Sequence, residues 1–174
     1  SNELIQKTRY DLSLMEQKIL LMIMQKISPY GTEIPEIHFS VKEFCQLCGI
    51  DYKNGKNYIN VKRAIKSLGD RPFWAPAMVD GKAAEVLLRW IETAIIEKED
   101  GVVVLTMNQV MSQYLQGLTS RFTKYSRINV LPMKSKYSIR FYELLKSYSN
   151  LKVIRLPVEQ LRSMLLLNAS TFEK

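Results

Sequence analysis

A change in the period of the hydrophobic pattern near residue 70 constrains the fold more than any other feature of the sequence. Before that point apolar residues recur at helical spacing, and after it short runs are rich in β-branched and aromatic residues. The sequence therefore predicts helices over residues 13–27, 41–48 and 56–68, and strands over 73–79, 86–97 and 102–106. The strands are separated by Asp80-Gly81 and Glu99-Asp100-Gly101, which are typical of hairpin turns.

Particular residues mark the ends of the predicted helices. Ser13 and Ser40 each precede a glutamate by three residues, which is the pattern of a capping box at a helix start. Gly69 is expected to end the third helix in a left-handed conformation. Apolar residues occupy nearly all faces of the first helix, so it is either the central helix of the domain or a helix with one face against a second subunit.

The order of these elements predicts a winged helix, an α+β fold in which a helix-turn-helix is followed by a β-hairpin wing. One complete domain would cover residues 1–131. Its last helix is predicted over 106–116, and a basic connector with an extended segment at 128–132 follows. A helix over 135–149, a strand over 153–156 and a helix opened by Pro157 come next. Residues 132–174 therefore read as the beginning of a second winged helix that stops before its recognition helix.

The charge of the chain narrows the class of partner. The formal net charge is +8 and the isoelectric point is about 9.5. Clustered lysines and arginines favour a polyanion, because phosphates release counterions when such residues bind them. The longest strongly apolar stretch, Ile19–Met24, is far shorter than the roughly 20 residues of a membrane span, and no export leader is recognised. We expect double-stranded DNA rather than a membrane as the partner, and a cytoplasmic location with both cysteines as thiols.

The third predicted helix is the first candidate DNA-binding surface. Its apolar stripe leaves Lys56, Asn60 and Arg63 on the opposite side, with Lys62 and Lys66 beside them. Asparagine can pair with adenine, and arginine with guanine or with a phosphate. The alternative is an ordinary amphipathic helix with a solvated basic face.

A second candidate surface lies in the connector and the helix after it. Nine basic residues and one acidic residue fall between Arg121 and Arg155, an excess of eight that equals the net charge of the whole chain, +8. Lysine and arginine in such a segment position a protein along the phosphate backbone without reading sequence, although a solvated helix face would have the same composition. The candidate contacts are Arg121, Lys124, Arg127, Lys134, Lys136 and Arg140.

The sequence gives no support to a catalytic, metal or cofactor site. Cys45 and Cys48 form C-x-x-C inside a predicted helix, but a zinc site needs four ligands and His38 is the only histidine. Neither a Gly-rich phosphate loop nor a nucleophile motif is present. We expect two packed thiols, a structural histidine, no metal, no cofactor and no enzyme activity.

Several stretches of the sequence resemble a known family. They are residues 2–5 and 10–20 (NELI and YDLSLMEQKIL), 39–44 (FSVKEF), 61–68 (VKRAIKSL) and 134–148 (KSKYSIRFYELLKSY). Together they resemble the RepA/RepB/RepE-type replication initiators of theta-replicating plasmids, which are tandem winged-helix proteins. The resemblance spans nearly the whole chain in the same order, and its first and last stretches are the most specific.

This resemblance implies a function. The first domain would mediate dimerisation and would contact mainly the sugar-phosphate backbone of the DNA. The second domain would read base edges in the major groove. The protein would initiate plasmid DNA replication, binding origin repeats (iterons) as a monomer and repressing its own gene as a dimer, with host replication proteins as further partners. The first helix or the long strand over 86–97 would then serve the dimer interface. Two alternatives are a winged-helix transcriptional regulator and a dimerisation module with an incidental basic surface.

Overall fold

The chain folds into two units, Ser1–Pro132 and Met133–Lys174, in a computed structural model. The structure describes residues 12–28, 33–52, 55–112, 114–115, 127–148 and 150–165. The division between the units falls one residue from the domain boundary that the sequence predicts.

Helix α1 (Leu14–Met24) is buried at the centre of the first unit. Its start is the predicted capping box, in which the Ser13 amide donates to Glu16 Oε2 at 2.6 Å and the Glu16 amide donates to Ser13 Oγ at 3.4 Å. Every residue from Glu16 to Met24 is buried within one chain, which accounts for the apolar residues on all faces. The alternative, that one face of this helix meets a second subunit, is wrong for residues 16–24.

Helices α2 (Val41–Leu47) and α3 (Lys56–Gly69) form the predicted helix pair. Ser40 caps α2 by accepting a hydrogen bond from the Glu43 amide at 3.0 Å. Helix α3 contacts both α1 and α2, because its buried stripe fills the space between them. That stripe consists of Val61, Ala64, Ile65 and Leu68.

The predicted left-handed cap at Gly69 is wrong. Gly69 is the last helical residue, and Asp70 follows it in a right-handed conformation with its amide donating to the Lys66 carbonyl at 2.9 Å. This bond satisfies a terminal carbonyl of α3 without a left-handed residue. The left-handed conformation occurs instead behind α2, at Gly49, whose φ is +63°.

The strands form two separate antiparallel sheets. The first has three strands in the order β1 (Ile37–Ser40), β5 (Val102–Thr106) and β4 (Thr93–Ile96). The second is a hairpin of β2 (Phe73–Val79) and β3 (Lys82–Leu88). Its turn is the predicted one, with left-handed φ angles of 49° at Asp80 and 74° at Gly81. A helix pair followed by this hairpin is the arrangement of a winged helix, as predicted.

Residues 86–97 are not the single strand that the sequence predicts. Strand β3 ends at Leu88, and β4 begins at Thr93 in the other sheet. Between them Trp90 and Ile91 are buried, and the Trp90 ring packs on Phe73 with 5.1 Å between ring centroids. Burial of these two side chains takes the chain out of one sheet and into the other.

The segment after β5 departs from the prediction in part. A short 3-10 turn, Gln109–Met111, begins the predicted helix. The Gln109 side-chain amide both donates to the Ile34 carbonyl and accepts from the Ile34 amide, each at 2.9 Å. The predicted extended segment at 128–132 is wrong, because helix α4 (Arg127–Val130) occupies it and its end buries Val130.

The second unit contains helices α5 (Lys136–Ser147) and α6 (Val158–Met164). Ser135 caps α5 by accepting from the Tyr137 amide at 3.2 Å, and Pro157 precedes α6. The predicted strand over 153–156 is not formed. A strand needs a pairing partner, and the described part of this unit contains none.

Candidate nucleic-acid interface

Helix α3 has the two-sided character that the sequence predicts. Opposite its buried stripe, the side chains of Lys56, Lys62, Arg63 and Lys66 are exposed, and Asn60 is half-buried at the edge. All five predicted contact residues of this helix are therefore outside the core. All five lie on one helix of 14 residues, so the regular helical backbone fixes their spacing.

The exposed cations of α3 differ in whether another side chain of the protein forms an ion pair with them. Lys66 forms an ion pair with Asp70 one turn later, which offsets its charge. Lys62 and Arg63 have no ion-pair or hydrogen-bond partner among the residues that the structure describes. Lys62 and Arg63 are thus the cations of this helix whose charge is available to a phosphate.

A groove lies beside this surface, between the start of α1 and α3. Its volume is about 380 Å³, and most of the residues that line it are polar. The lining residues are Ser13, Met15, Glu16, Asn60, Arg63, Ala64, Ser67 and Arg71. Two of the predicted contact residues, Asn60 and Arg63, therefore share a concave site with an arginine that follows α3.

Glu16 is the one acidic residue among the described residues that line this groove. Its side chain is only 2% exposed, and Arg71 Nε lies 3.7 Å from its Oε1 atom. Burial by itself raises the pKa of Glu16, but hydrogen bonds from Ser67 and Ser13 and the charge of Arg71 outweigh it, so the pKa lies below its usual value. Glu16 is therefore an ionised, buried anchor for Arg71.

The hairpin presents a second kind of surface. Trp74 lies opposite Leu87 in the register of β2 and β3, and Met78 lies on the same face four residue pairs further along. All three side chains are exposed, Trp74 to 57%. A two-stranded ribbon with an uncovered apolar face is unusual in a soluble monomer, so this face is a candidate for protein contact.

The second predicted surface is assembled only in part. Lys134 is exposed, and Lys136 is half-buried with its ammonium 5.5 Å from the centroid of the Tyr137 ring. Arg140 is only 3% exposed and its guanidinium donates to the Leu165 carbonyl, which corrects its prediction as a surface contact. Leu165, which caps the C-terminal end of α6, lies against α5 at this position. Arg127 opens α4, while Arg121 and Lys124 lie outside the described residues.

Many proteins of different function share the winged-helix fold, and a comparison with family models identifies the family of this chain. The Rep3_N family model, described as initiator replication protein WH1, matches residues 1–146 of the chain. The chain belongs to this family of replication initiators. The resemblance to plasmid replication initiators is thereby confirmed, and with it the winged-helix fold.

Solved structures resemble the initiator at low sequence identity, so they bear on its fold. The WH1 domain of MSBI1.176, a replication protein isolated from a multiple sclerosis patient, has a TM-score of 0.54 at 16% identity, over 70% of this chain and 92% of that one. The Pi initiator protein in complex with iteron DNA has a TM-score of 0.70 at 17% identity, over 91% and 68%. Domains 2–3 of RctB have a TM-score of 0.63 at 12% identity, over 93% and 64%. A search of curated protein sequences gives no match.

Two residues of the surface near α3 are not among those that the sequence predicts as contacts. Ile59 is 54% exposed and stands between Lys56 and Arg63 on the outer side of α3. Its helical spacing from those two residues is the signal that could have identified it. Arg71 follows the helix, and only the fold brings it to Glu16.

The cysteines and the histidine of the initiator have separate surroundings. Cys45 and Cys48 are buried thiols, and burial raises the pKa of Cys48 to about 11. His38 is exposed, with Nε2 lying 3.4 Å from Glu36 Oε2. In the described part of the chain, no cluster of three or more His, Cys, Asp or Glu residues is placed to hold a metal ion. No helix of that part combines the length and apolarity needed to cross a bilayer.

Proposed function

We propose that this chain is the DNA-binding part of a plasmid replication initiator that binds origin repeats as a monomer through the outer side of α3. The observation that supports this most directly is that Lys62 and Arg63 are both exposed on the outer side of α3, without partners among the described residues. Membership of the initiator family and the fold shared with the Pi initiator, whose structure contains iteron DNA, point the same way.

The charges on α3 determine what kind of binding is expected. Each phosphate that a lysine or arginine neutralises releases counterions, so affinity falls steeply with salt. Asn60 and Arg63 add side chains that can pair with base edges if the helix enters a major groove. Lys134 and Lys136 supply further positive charge in the second unit, whereas Arg140 has no part in the proposal because it is buried.

Fluorescence anisotropy with labelled duplexes tests this proposal. The duplexes tile the DNA around the gene that encodes the chain, and an unrelated duplex of equal length serves as reference. The Lys62→Gln/Arg63→Gln double variant should lower the slope of log affinity against log salt by about 1.8, since each lost phosphate contact removes about 0.9. Lys98→Gln, in the acidic turn before β5, is the control and should bind like the wild type.

The outcome separates the competing functions. Preference for a repeated sequence of an origin supports the initiator, and preference for a single operator supports a transcriptional regulator. Equal, weak binding of all duplexes, unchanged in the double variant, would leave a dimerisation module with an incidental basic surface.

The dimer that represses its own gene would form through the exposed apolar face of the hairpin. The sequence offered the first helix or the run over 86–97 for this role. Because residues 16–24 of α1 are buried within one chain, we assign the role to the hairpin, whose strand β3 contains the beginning of that run. Sedimentation of Leu87→Glu should show a loss of dimer, because a charge would be buried at the interface. Val153→Glu, at an exposed apolar residue of the second unit, is the matched control. An unchanged dimer in Leu87→Glu would contradict this assignment.

The remaining parts of the function follow from the family. We infer that the protein works in the cytoplasm, where plasmid origins are, and that host replication proteins join it there. A pull-down of host proteins on origin DNA, with and without the chain, tests the second point.

A further inference from the structure

We propose that the groove between α1 and α3 is a seat for one backbone phosphate of the bound DNA, in which Arg71 and Arg63 contact the phosphate oxygens. This inference rests on the proposed DNA binding. It adds Arg71 and Ser67, which the sequence did not single out, and it gives Asn60 a role beside the phosphate.

Three side chains in the groove have unused hydrogen-bond donors. The Nε atom of Arg71 faces Glu16, and its two other guanidinium nitrogens have no partner in the described part of the chain. The same holds for the guanidinium of Arg63 and for the side-chain amide of Asn60. Uncommitted donors that line one groove suit the oxygens of a phosphate, and arginine can bind two of them at once.

Glu16 positions one of these donors without competing for the ligand. Its carboxylate is buried, its Oε2 atom accepts from the Ser13 amide at 2.6 Å, and its Oε1 atom faces Arg71. The ion pair, with 3.7 Å between Nε and Oε1, keeps the Nε edge of the Arg71 guanidinium near Glu16 and leaves the opposite edge for a ligand. With two arginines and one carboxylate, the charged side chains of the groove sum to a single positive charge, which favours an anion.

The shape of the groove agrees with a phosphodiester ligand. Its volume of about 380 Å³ is larger than a bare phosphate and leaves room for the adjoining sugar atoms. Met15 and Ala64 are the two apolar residues of its lining and could pack against that sugar. Since Asn60 and Arg63 also belong to α3, a phosphate in the groove would lie directly beside the helix that faces the DNA.

The test compares substitutions in the groove with a matched substitution outside it, using the complete chain. Arg71→Gln should reduce affinity for the tiled duplexes roughly tenfold and lower the salt slope by about 0.9. Lys98→Gln removes the same charge elsewhere and should change neither quantity. Circular dichroism melting curves identify any variant that fails to fold.

Two milder variants keep the inference testable if Arg71→Gln is unstable. Arg71→Lys keeps the charge but cannot hold Glu16 and a phosphate on opposite edges, so affinity should fall several-fold at an unchanged salt slope. Asn60→Ala removes a neutral donor and should also weaken binding without changing the slope. Wild-type affinity in Arg71→Lys and in Asn60→Ala would overturn the seat and leave only diffuse charge.

A second experiment distinguishes a phosphate of the DNA backbone from a free phosphate or nucleotide as the ligand of the groove. Inorganic phosphate and a deoxynucleoside monophosphate are added to the DNA complex at constant ionic strength. Little competition at millimolar concentration supports a backbone phosphate held by the whole DNA interface. If Arg71→Gln abolishes tight binding of the monophosphate but leaves DNA affinity unchanged, the groove is a nucleotide site and the inference is wrong. If Lys62→Gln/Arg63→Gln weakens DNA binding and Arg71→Gln does not, the seat fails while the proposed function stands.

Discussion

At the scale of single residues, Glu16 connects the beginning of α1 with the end of α3. It completes the capping box with Ser13 and faces Arg71 across the groove. A buried carboxylate is tolerated here because hydrogen bonds and a cation compensate for its loss of water. The same contacts that would orient Arg71 toward DNA therefore also contribute to the stability of the first unit.

The lowered pKa of Glu16 predicts how stability depends on pH. Because the pKa is lower in the folded chain than its ordinary value of 4.5, the stabilising contribution is complete above about pH 4.5 and is lost as the pH falls through the folded pKa. Urea unfolding between pH 7 and pH 3, followed by circular dichroism, should show this loss. Glu16→Gln should be less stable at pH 7 and should lose less on acidification. The exposed Glu85→Gln on β3 should behave like the wild type, and a pH dependence unaltered in Glu16→Gln would contradict the prediction.

The sequence predicts correctly those residues whose contacts are with near neighbours in the chain. The capping boxes depend on residues three positions apart, so Ser13 and Glu16 can be paired from the sequence alone. Arg140 is predicted on a surface because helical spacing says which residues share a face but not which face another segment covers. Its burial depends on Leu165, 25 residues later. Arg71 could not be predicted as part of the site for the same reason, since its partner Glu16 is far away in the chain.

At the scale of elements, the glycines that end helices α2 and α3 are a test of backbone conformation. Gly49 has a φ of +63° and open space where a Cβ atom would lie, whereas Gly69 has a helical φ and would place a Cβ atom 4.0 Å from the Ile91 carbonyl oxygen. Gly49→Ala should lower the free energy of unfolding by about 1–2 kcal/mol, because only the left-handed backbone opposes it. Gly69→Ala should raise it by about 0.5–1 kcal/mol, because alanine loses less entropy in a helix.

Thermal and urea unfolding of these two variants measure both changes. Equal effects of the two substitutions would contradict the assignment of the left-handed residue to Gly49. The sequence could not make this distinction, since each glycine follows an amphipathic helix. The difference arises because Asp70 continues the right-handed path out of α3.

The strands show that local sequence patterns alone do not determine where a strand begins and ends. The run over 86–97 is rich in strand-forming residues, so composition predicts one long strand. The break at Trp90 is a consequence of tertiary packing, because Phe73 offers a buried aromatic partner at that point. The missing strand over 153–156 has the same kind of cause, since strand-forming residues need a neighbouring strand as well as a favourable composition.

At the scale of the whole molecule, the chain divides into two units that differ in the size of their apolar cores. Both sheets and helices α1 to α3 lie in Ser1–Pro132, together with a large apolar core. The second unit, Met133–Lys174, is short and leaves Phe141, Leu145 and Val158 exposed. Chains of roughly 40 residues rarely fold alone without a metal or disulfides.

A fragment of residues 1–132 should therefore fold by itself. We expect a cooperative melting transition near that of the complete chain and the same ratio of helix to strand signal in circular dichroism, after correction for α5 and α6. A fragment of residues 133–174 should give a largely disordered spectrum. Loss of cooperative melting in the fragment of residues 1–132 would show that the units are not independent.

The two tryptophans occupy opposite environments, and this gives the molecule a pair of optical probes. Trp74 stands in solvent on the hairpin, and Trp90 is sealed against Phe73 with none of its surface exposed. Emission from Trp74 will shift toward the blue when another molecule covers the hairpin, while emission from Trp90 will stay constant until the chain unfolds. Association and denaturation can thus be followed separately by intrinsic fluorescence, with Trp74→Phe as the blank and no dye attached.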